Sequence, residues 1–209
     1  MGTTYSLKVE GLGKHYASTL LFKNISFSLS CGDVLAITGW NGSGKSTLLR
    51  IIAGLTSAST GQISLTKDNT AIPKTDRRRY IGLAAPAISL YDELTGLENL
   101  AFFCKVRGLL RDRSGHLEML AEAGLTGQAD KPCREYSSGM KQRLKLAQAL
   151  VHAPPLLLLD EPGANLDSKG FKIVERIVHK QRGSGMTIIA SNDGREVAYA
   201  DRTINLSRD

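Results

Sequence analysis

Gly39-Trp40-Asn41-Gly42-Ser43-Gly44-Lys45-Ser46-Thr47 has the spacing of a phosphate-binding loop: a glycine, four residues, then Gly-Lys-Ser. Val34-Leu35-Ala36-Ile37-Thr38 before it is short, apolar and partly β-branched, as a buried strand is. Ser46 to Ala53 after it reads as a helix. Glycines at 39, 42 and 44 let the backbone turn where side chains cannot and approach a polyphosphate closely. The N–H groups of the loop from Asn41 and Ser43 through Thr47 would face the anion at a helix N-terminus, where the macrodipole adds to the attraction. Lys45 is expected on the β- and γ-phosphates, and the Ser46 hydroxyl on magnesium.

The rest of the chain sets the frame for that loop. Its 209 residues suit one α/β domain over 1–209 with a sizeable core. No apolar run approaches the ~18 residues that would mark a membrane span. The N-terminal stretch lacks the apolar core of a signal peptide. Cys31, Cys104 and Cys133 are odd in number and show no metal spacing, which points to reduced thiols in the cytosol. A net charge of +7 invites a nucleic-acid reading. The only dense basic run is Arg77-Arg78-Arg79, without interleaved aromatics. A solvated positive surface near a nucleotide or an anionic lipid is the preferred reading, and no nucleic acid is expected.

Residues 5–10 alternate apolar and polar as a strand does, residues 11–16 read as a turn, and Ile25 to Leu29 as a half-buried antiparallel strand. Further strands are expected at 62–65, 80–84, 186–190 and 202–206. From Thr95 to Gly124, apolar residues such as Leu97, Leu100, Phe103, Leu117 and Leu120 recur at helical spacing. This stretch is either an inserted helical subdomain, at about residues 90–150, or a plain pair of covering helices. A helix follows from Ser137 to Val151.

Leu156-Leu157-Leu158-Leu159 then runs into Asp160-Glu161-Pro162. An apolar run this short reads as a strand covered on both faces, and ligands bind at the carboxyl edge of such strands. The two carboxylates would stand beside the γ-phosphate. Asp160 is suited to hold magnesium through water, and Glu161 to polarise the attacking water.

With Tyr136-Ser137-Ser138-Gly139-Met140-Lys141-Gln142-Arg143 the chain resembles, over essentially its full length, the nucleotide-binding subunit of ATP-binding cassette (ABC) transporters. The family signature is usually Leu-Ser-Gly-Gly-Gln followed by basic residues. Here Ser137 and Gly139 are retained, with Ser138 and Met140 in place of the first Gly and the Gln. The resemblance implies a phosphate-loop nucleotide-binding core of mostly parallel strands, an antiparallel β layer and an inserted helical subdomain. It implies that Ser137 and Gly139 contact an ATP held by a second nucleotide-binding subunit, so that a homodimer buries two ATPs. It makes Tyr16 the aromatic that stacks on adenine and Asn165-Leu166-Asp167 a loop that crosses the dimer interface.

Two departures carry consequences. The family usually has Gln after the strand corresponding to 80–84, where Pro86 stands in this sequence, and a switch His where this chain has Asn192. Asn donates a hydrogen bond but cannot carry a proton. ATP binding with slow hydrolysis is therefore expected. The resemblance implies a cytoplasmic ATPase, peripheral on the inner face of the membrane, that drives a separate permease. An export-type system such as the haem exporter of cytochrome c maturation is one candidate. A regulatory ATP-binding module with little hydrolysis and a soluble cassette ATPase acting on nucleic acid or ribosomes remain alternatives.

Overall fold

The computed structural model describes residues 2–17 and 19–206; residues 1, 18 and 207–209, which fall inside the expected single domain, lie outside the described residues. The chain runs β1 (Tyr5–Tyr16), β2 (Thr19–Ser30), β3 (Val34–Thr38), α1 (Lys45–Ile52), β4 (Thr60–Lys67), β5 (Thr70–Ala71) and β6 (Ile81–Ala84). It continues through α2 (Gly96–Val106), α3 (Arg113–Glu122), α4 (Ser138–Leu150), β7 (Leu156–Asp160), α5 (Ser168–Arg182), β8 (Met186–Ala190), α6 (Gly194–Val197) and β9 (Arg202–Asn205).

Two sheets result. One is antiparallel, in the order β2-β1-β4-β5; the other is parallel throughout, in the order β6-β7-β8-β3-β9. The inner strands β3, β7 and β8 are almost wholly apolar because both their faces are covered, whereas the edge strand β9 is polar and mostly exposed. All five residues of β7 and of β8 are buried. Each Leu of 156–159 is 0% exposed, and burying such a side chain contributes roughly 1.5–3 kcal/mol.

The N-terminal layer differs from expectation. Residues 11–16 are not a turn but the second half of a twelve-residue strand, and β2 begins at Thr19, well before the clean alternation at Ile25. Of the two glycines that suggested a turn, Gly11 takes a left-handed φ of +58° within the strand and Gly13 serves close approach. A Cβ on Gly13 would lie 2.5 Å from Thr60 Oγ1, and the β1–β4 register shifts between Glu10 and Gly13. The ladder bends there and continues, as at a bulge.

Three apolar clusters hold the layers together. The largest lies between the antiparallel sheet, α1 and one face of the parallel sheet, and includes Leu7, Leu12, Leu29, Leu48, Leu65 and Ile188. A second, with Val34, Leu146, Leu157, Val174 and Ile189, fills the opposite face under α5. Between β6 and β7 the third joins Leu97 and Leu100 of α2, Leu120 of α3 and Leu144 of α4. Helix α2 starts on a reciprocal cap: Thr95 Oγ1 accepts from Glu98 N–H at 3.1 Å, and Glu98 Oε2 accepts from Thr95 N–H at 2.8 Å.

Candidate nucleotide site

Because the five strands are parallel, the carboxyl ends of β3, β6, β7 and β8 open on one edge. They deliver the phosphate loop, Pro86, Asp160-Glu161 and Ser191-Asn192 to it. Helix α1 begins at that edge. Its first intrahelical bond runs from Leu48 N–H to Gly44 O at 2.8 Å, so the N–H groups of Lys45, Ser46 and Thr47 have no acceptor within the helix. Gly44 sits at φ +102°, and a Cβ there would lie 2.7 Å from Leu21 Cγ. The β1–β2 hairpin thus packs against the loop, and only glycine fits between them.

Lys45 is 6% exposed, and its Nζ donates to Gly39 O at 2.6 Å and to Trp40 O at 3.4 Å. The ammonium is held on the loop it would serve. Ser46 Oγ donates to Asp160 Oδ1 at 3.0 Å, joining residues 114 apart in sequence. One hydroxyl and one carboxylate therefore converge at the mouth of the loop. That donor set fits magnesium, which takes one or two protein oxygens and fills its shell with water and phosphate. Burial pushes the Asp160 carboxyl above its ordinary value, with the Ser46 hydrogen bond opposing it and the Glu161 charge adding to it. Asn41 and Gly42 are exposed and Ser43 is 2% exposed beneath them.

Glu161 follows β7 in a left-handed conformation, φ +48°, with its N–H on Ala190 O at 2.9 Å. For a residue with a Cβ this conformation costs about 1–2 kcal/mol, which surrounding contacts must offset. Asn192 is exposed, and its Oδ1 accepts from Gly39 N–H at 3.1 Å. Pro86 is exposed and offers only its carbonyl, which accepts from Lys145 Nζ at 3.0 Å. Tyr16 ends β1 with 54% of its surface exposed, and Lys14 Nζ stands 4.5 Å from its ring centroid.

The signature residues stand apart. Ser137 caps α4, its Oγ accepting from Met140 N–H at 3.2 Å, and a Cβ on Gly139 would lie 2.8 Å from Asn165 O. Among the described residues no hydrogen bond joins Ser137 or Gly139 to the phosphate loop. The sequence-predicted ligands therefore form two groups in one chain, one at the phosphate loop and one at the start of α4.

Residues 22–164 match the family described as ABC transporter. The chain belongs to the ABC transporter ATPase family. The cytochrome c biogenesis ATP-binding export protein CcmA of Xanthomonas axonopodis pv. citri (strain 306) is 36% identical over 173 residues, 82% of this chain and 79% of that protein. The linearmycin resistance ATP-binding protein LnrL of Bacillus subtilis (strain 168) is 34% identical over 185 residues, 88% of this chain, which spans 60% of LnrL's own length. The dimeric structure of a post-hydrolysis state of the ATP-binding cassette MJ0796, bound to ADP and Pi, has a TM-score of 0.83 at 29% identity, covering 96% of this chain and 94% of that one.

This cassette has polar groups that sequence reasoning did not single out. Gln142, 6% exposed, donates from Nε2 to the carbonyls of Glu161 and Pro162 at 3.3 and 3.1 Å. Glu196, 2% exposed, accepts the N–H of Gly163. Gln142 shares a face of α4 with buried Leu146 and Ala149, so an amide on an apolar stripe was its signal. Glu196 lies in a four-residue helix, too short to carry a period.

Proposed function

We propose that this ABC ATPase dimerises around two ATPs and uses their hydrolysis to drive a separate membrane permease, export being the favoured direction. The observation that carries the hydrolytic part is the convergence of Lys45, Ser46, Asp160, Glu161 and Asn192 at one edge of the parallel sheet. The loop N–H groups and Lys45 bind the phosphates of ATP, and Ser46 with Asp160 would hold magnesium. That ion would neutralise charge developing between the β- and γ-phosphates. Glu161 polarises the attacking water and takes its proton. Asn192, with Oδ1 engaged on Gly39, keeps its Nδ2 donors for the γ-phosphate. Tyr16 stacks on the adenine.

The separation of Ser137 and Gly139 from the phosphate loop supports the dimer: each signature would complete the site of the opposite chain, its N–H groups facing the γ-phosphate at the start of α4. The export names of relatives such as CcmA support a transporter. Among the described residues no helix is long and apolar enough to cross a membrane, so a permease would be a separate polypeptide or segment, with this chain on the cytoplasmic face. A groove lined by Leu55, Ile88 and Phe103, with Arg78 and Arg107 beside them, lies next to the segment after β6 and offers a surface for coupling.

Co-purification with membrane proteins, followed by ATP turnover of the complex in vesicles, tests this reading. ATP-dependent dimerisation with turnover stimulated by the partner is the expected result. A second reading, an ATP-binding regulatory module, is favoured by Pro86, which brings no side-chain ligand, and by Asn192, which carries no proton. Binding and dimerisation without any turnover would establish it instead.

A further inference from the structure

The turn that carries Glu161 is fastened from both sides by buried side chains. From α4, the helix that begins at the signature, Gln142 Nε2 donates to Glu161 O at 3.3 Å and to Pro162 O at 3.1 Å. From α6, just beyond Asn192, Glu196 Oε1 accepts the N–H of Gly163. Helix α6 follows Asn192 directly, its Glu196 N–H donating to Asp193 O at 3.0 Å, and Asp193 N–H donates to Oγ of Ser191, the neighbour of Asn192, at 2.9 Å. Gly163 has no room to shift: a Cβ there would meet Glu196 Oε1 and lie 2.5 Å from Phe171 Cε1. Phe171 is itself covered by the Arg195 guanidinium at 3.7 Å. Between the two clamps Glu161 is kept at φ +48°, a conformation it would leave if released.

We propose that Gln142 and Glu196 are positioning residues for hydrolysis, holding the 161–163 turn so that the Glu161 carboxylate meets the attacking water. The inference rests on the hydrolytic reading above. It adds a connection: the signature helix and the segment after Asn192 each hold one end of the same turn. A displacement of α4 by a partner chain, or of Asn192 by the γ-phosphate, is thereby transmitted to Glu161. Among the described residues neither Gln142 nor Glu196 hydrogen-bonds to the phosphate loop through its side chain, so their loss is expected to leave ATP affinity nearly unchanged.

The experiment compares wild type with Gln142→Met, Glu196→Leu and Glu196→Gln in the full chain. It reads kcat, KM for ATP, melting temperature and amide exchange of the peptide spanning 161–164. Gln142→Met removes both donors with little change of shape and Glu196→Leu removes the acceptor. Each is expected to lower kcat by about 10²-fold, the cost of a misplaced catalytic group, with KM nearly unchanged and faster exchange in that peptide. Glu196→Gln keeps an oxygen for Gly163 N–H and is expected to retain most of the rate. Wild-type kcat and wild-type exchange in both removal variants would overturn the proposal. So would losses of kcat and ATP affinity that simply follow a falling melting temperature. Should Glu196→Leu not fold, Gln142→Met decides by the same readings. A wild-type chain that binds ATP without turning it over would sink the hydrolytic reading alone; unaltered exchange in Gln142→Met would then sink the clamp.

Discussion

Asn192 Oδ1 accepts a hydrogen bond from the backbone N–H of Gly39 at 3.1 Å, tying the end of β8 to the first residue of the phosphate loop. The amide oxygen is committed to the loop, and what remains for a phosphate is the Nδ2 group. Loss of one transition-state donor costs ~10²–10³-fold in rate, and a displaced but surviving donor less. Wild type is therefore expected to be a slow ATPase and Asn192→His a faster one, measured as turnover per site. A fast wild type with no gain in Asn192→His would mean that another group serves as the switch.

Lys45 is the one cation buried in the loop, held by Gly39 O at 2.6 Å. Exchange of those carbonyls for phosphate oxygens gives a charge-assisted contact worth roughly 1.5–3 kcal/mol per hydrogen bond, about ten- to a hundredfold in affinity. Lys45→Ala is expected to weaken ATP binding by at least that factor, read by nucleotide titration. An unchanged dissociation constant would remove the lysine from the site.

Glu161→Gln keeps the shape of the side chain and removes its basicity. Turnover should fall by at least ~10²-fold while ATP affinity survives. With one negative charge fewer beside the γ-phosphate, an ATP-held dimer should accumulate on size-exclusion chromatography with ATP and magnesium. Wild-type phosphate release from this variant would reassign the base.

Asp160 makes a pH prediction. Burial raises its carboxyl above the ordinary value, so the folded chain holds that proton to higher pH than the unfolded chain does. The associated stability is full below the unfolded carboxylate value, about pH 4, and is lost as pH rises through the raised folded value. Asp160→Asn, which retains an oxygen for Ser46, should therefore melt higher than wild type at about pH 7 without nucleotide, the gain vanishing near pH 4. The same variant should lose magnesium-dependent ATP affinity. A melting difference equal at both pH values would count against the buried, raised carboxyl.

Much of the site was legible locally. The loop from Gly39 to Thr47 is recognisable because its spacing is dictated by one ligand, a polyphosphate at a helix N-terminus, and needs no distant residue to make sense. The unbroken leucines of 156–159 announced a strand covered on both faces because burial on two sides abolishes alternation. Residues 11–16 were misleading for the opposite reason: glycine permits both a turn and a close strand crossing, and the choice fell to Thr60 and the β4 strand across the sheet. No local pattern announces that Ser46 meets Asp160, that Asn192 bonds Gly39, or that Gln142 and Glu196 grip the turn after β7. Those pairings are set by which strands lie side by side, since parallel strands bring their carboxyl ends to one edge whatever their separation along the chain. Sequence determined the chemistry each segment carries; the order β6-β7-β8-β3-β9 decided which of those groups meet at one edge of the sheet.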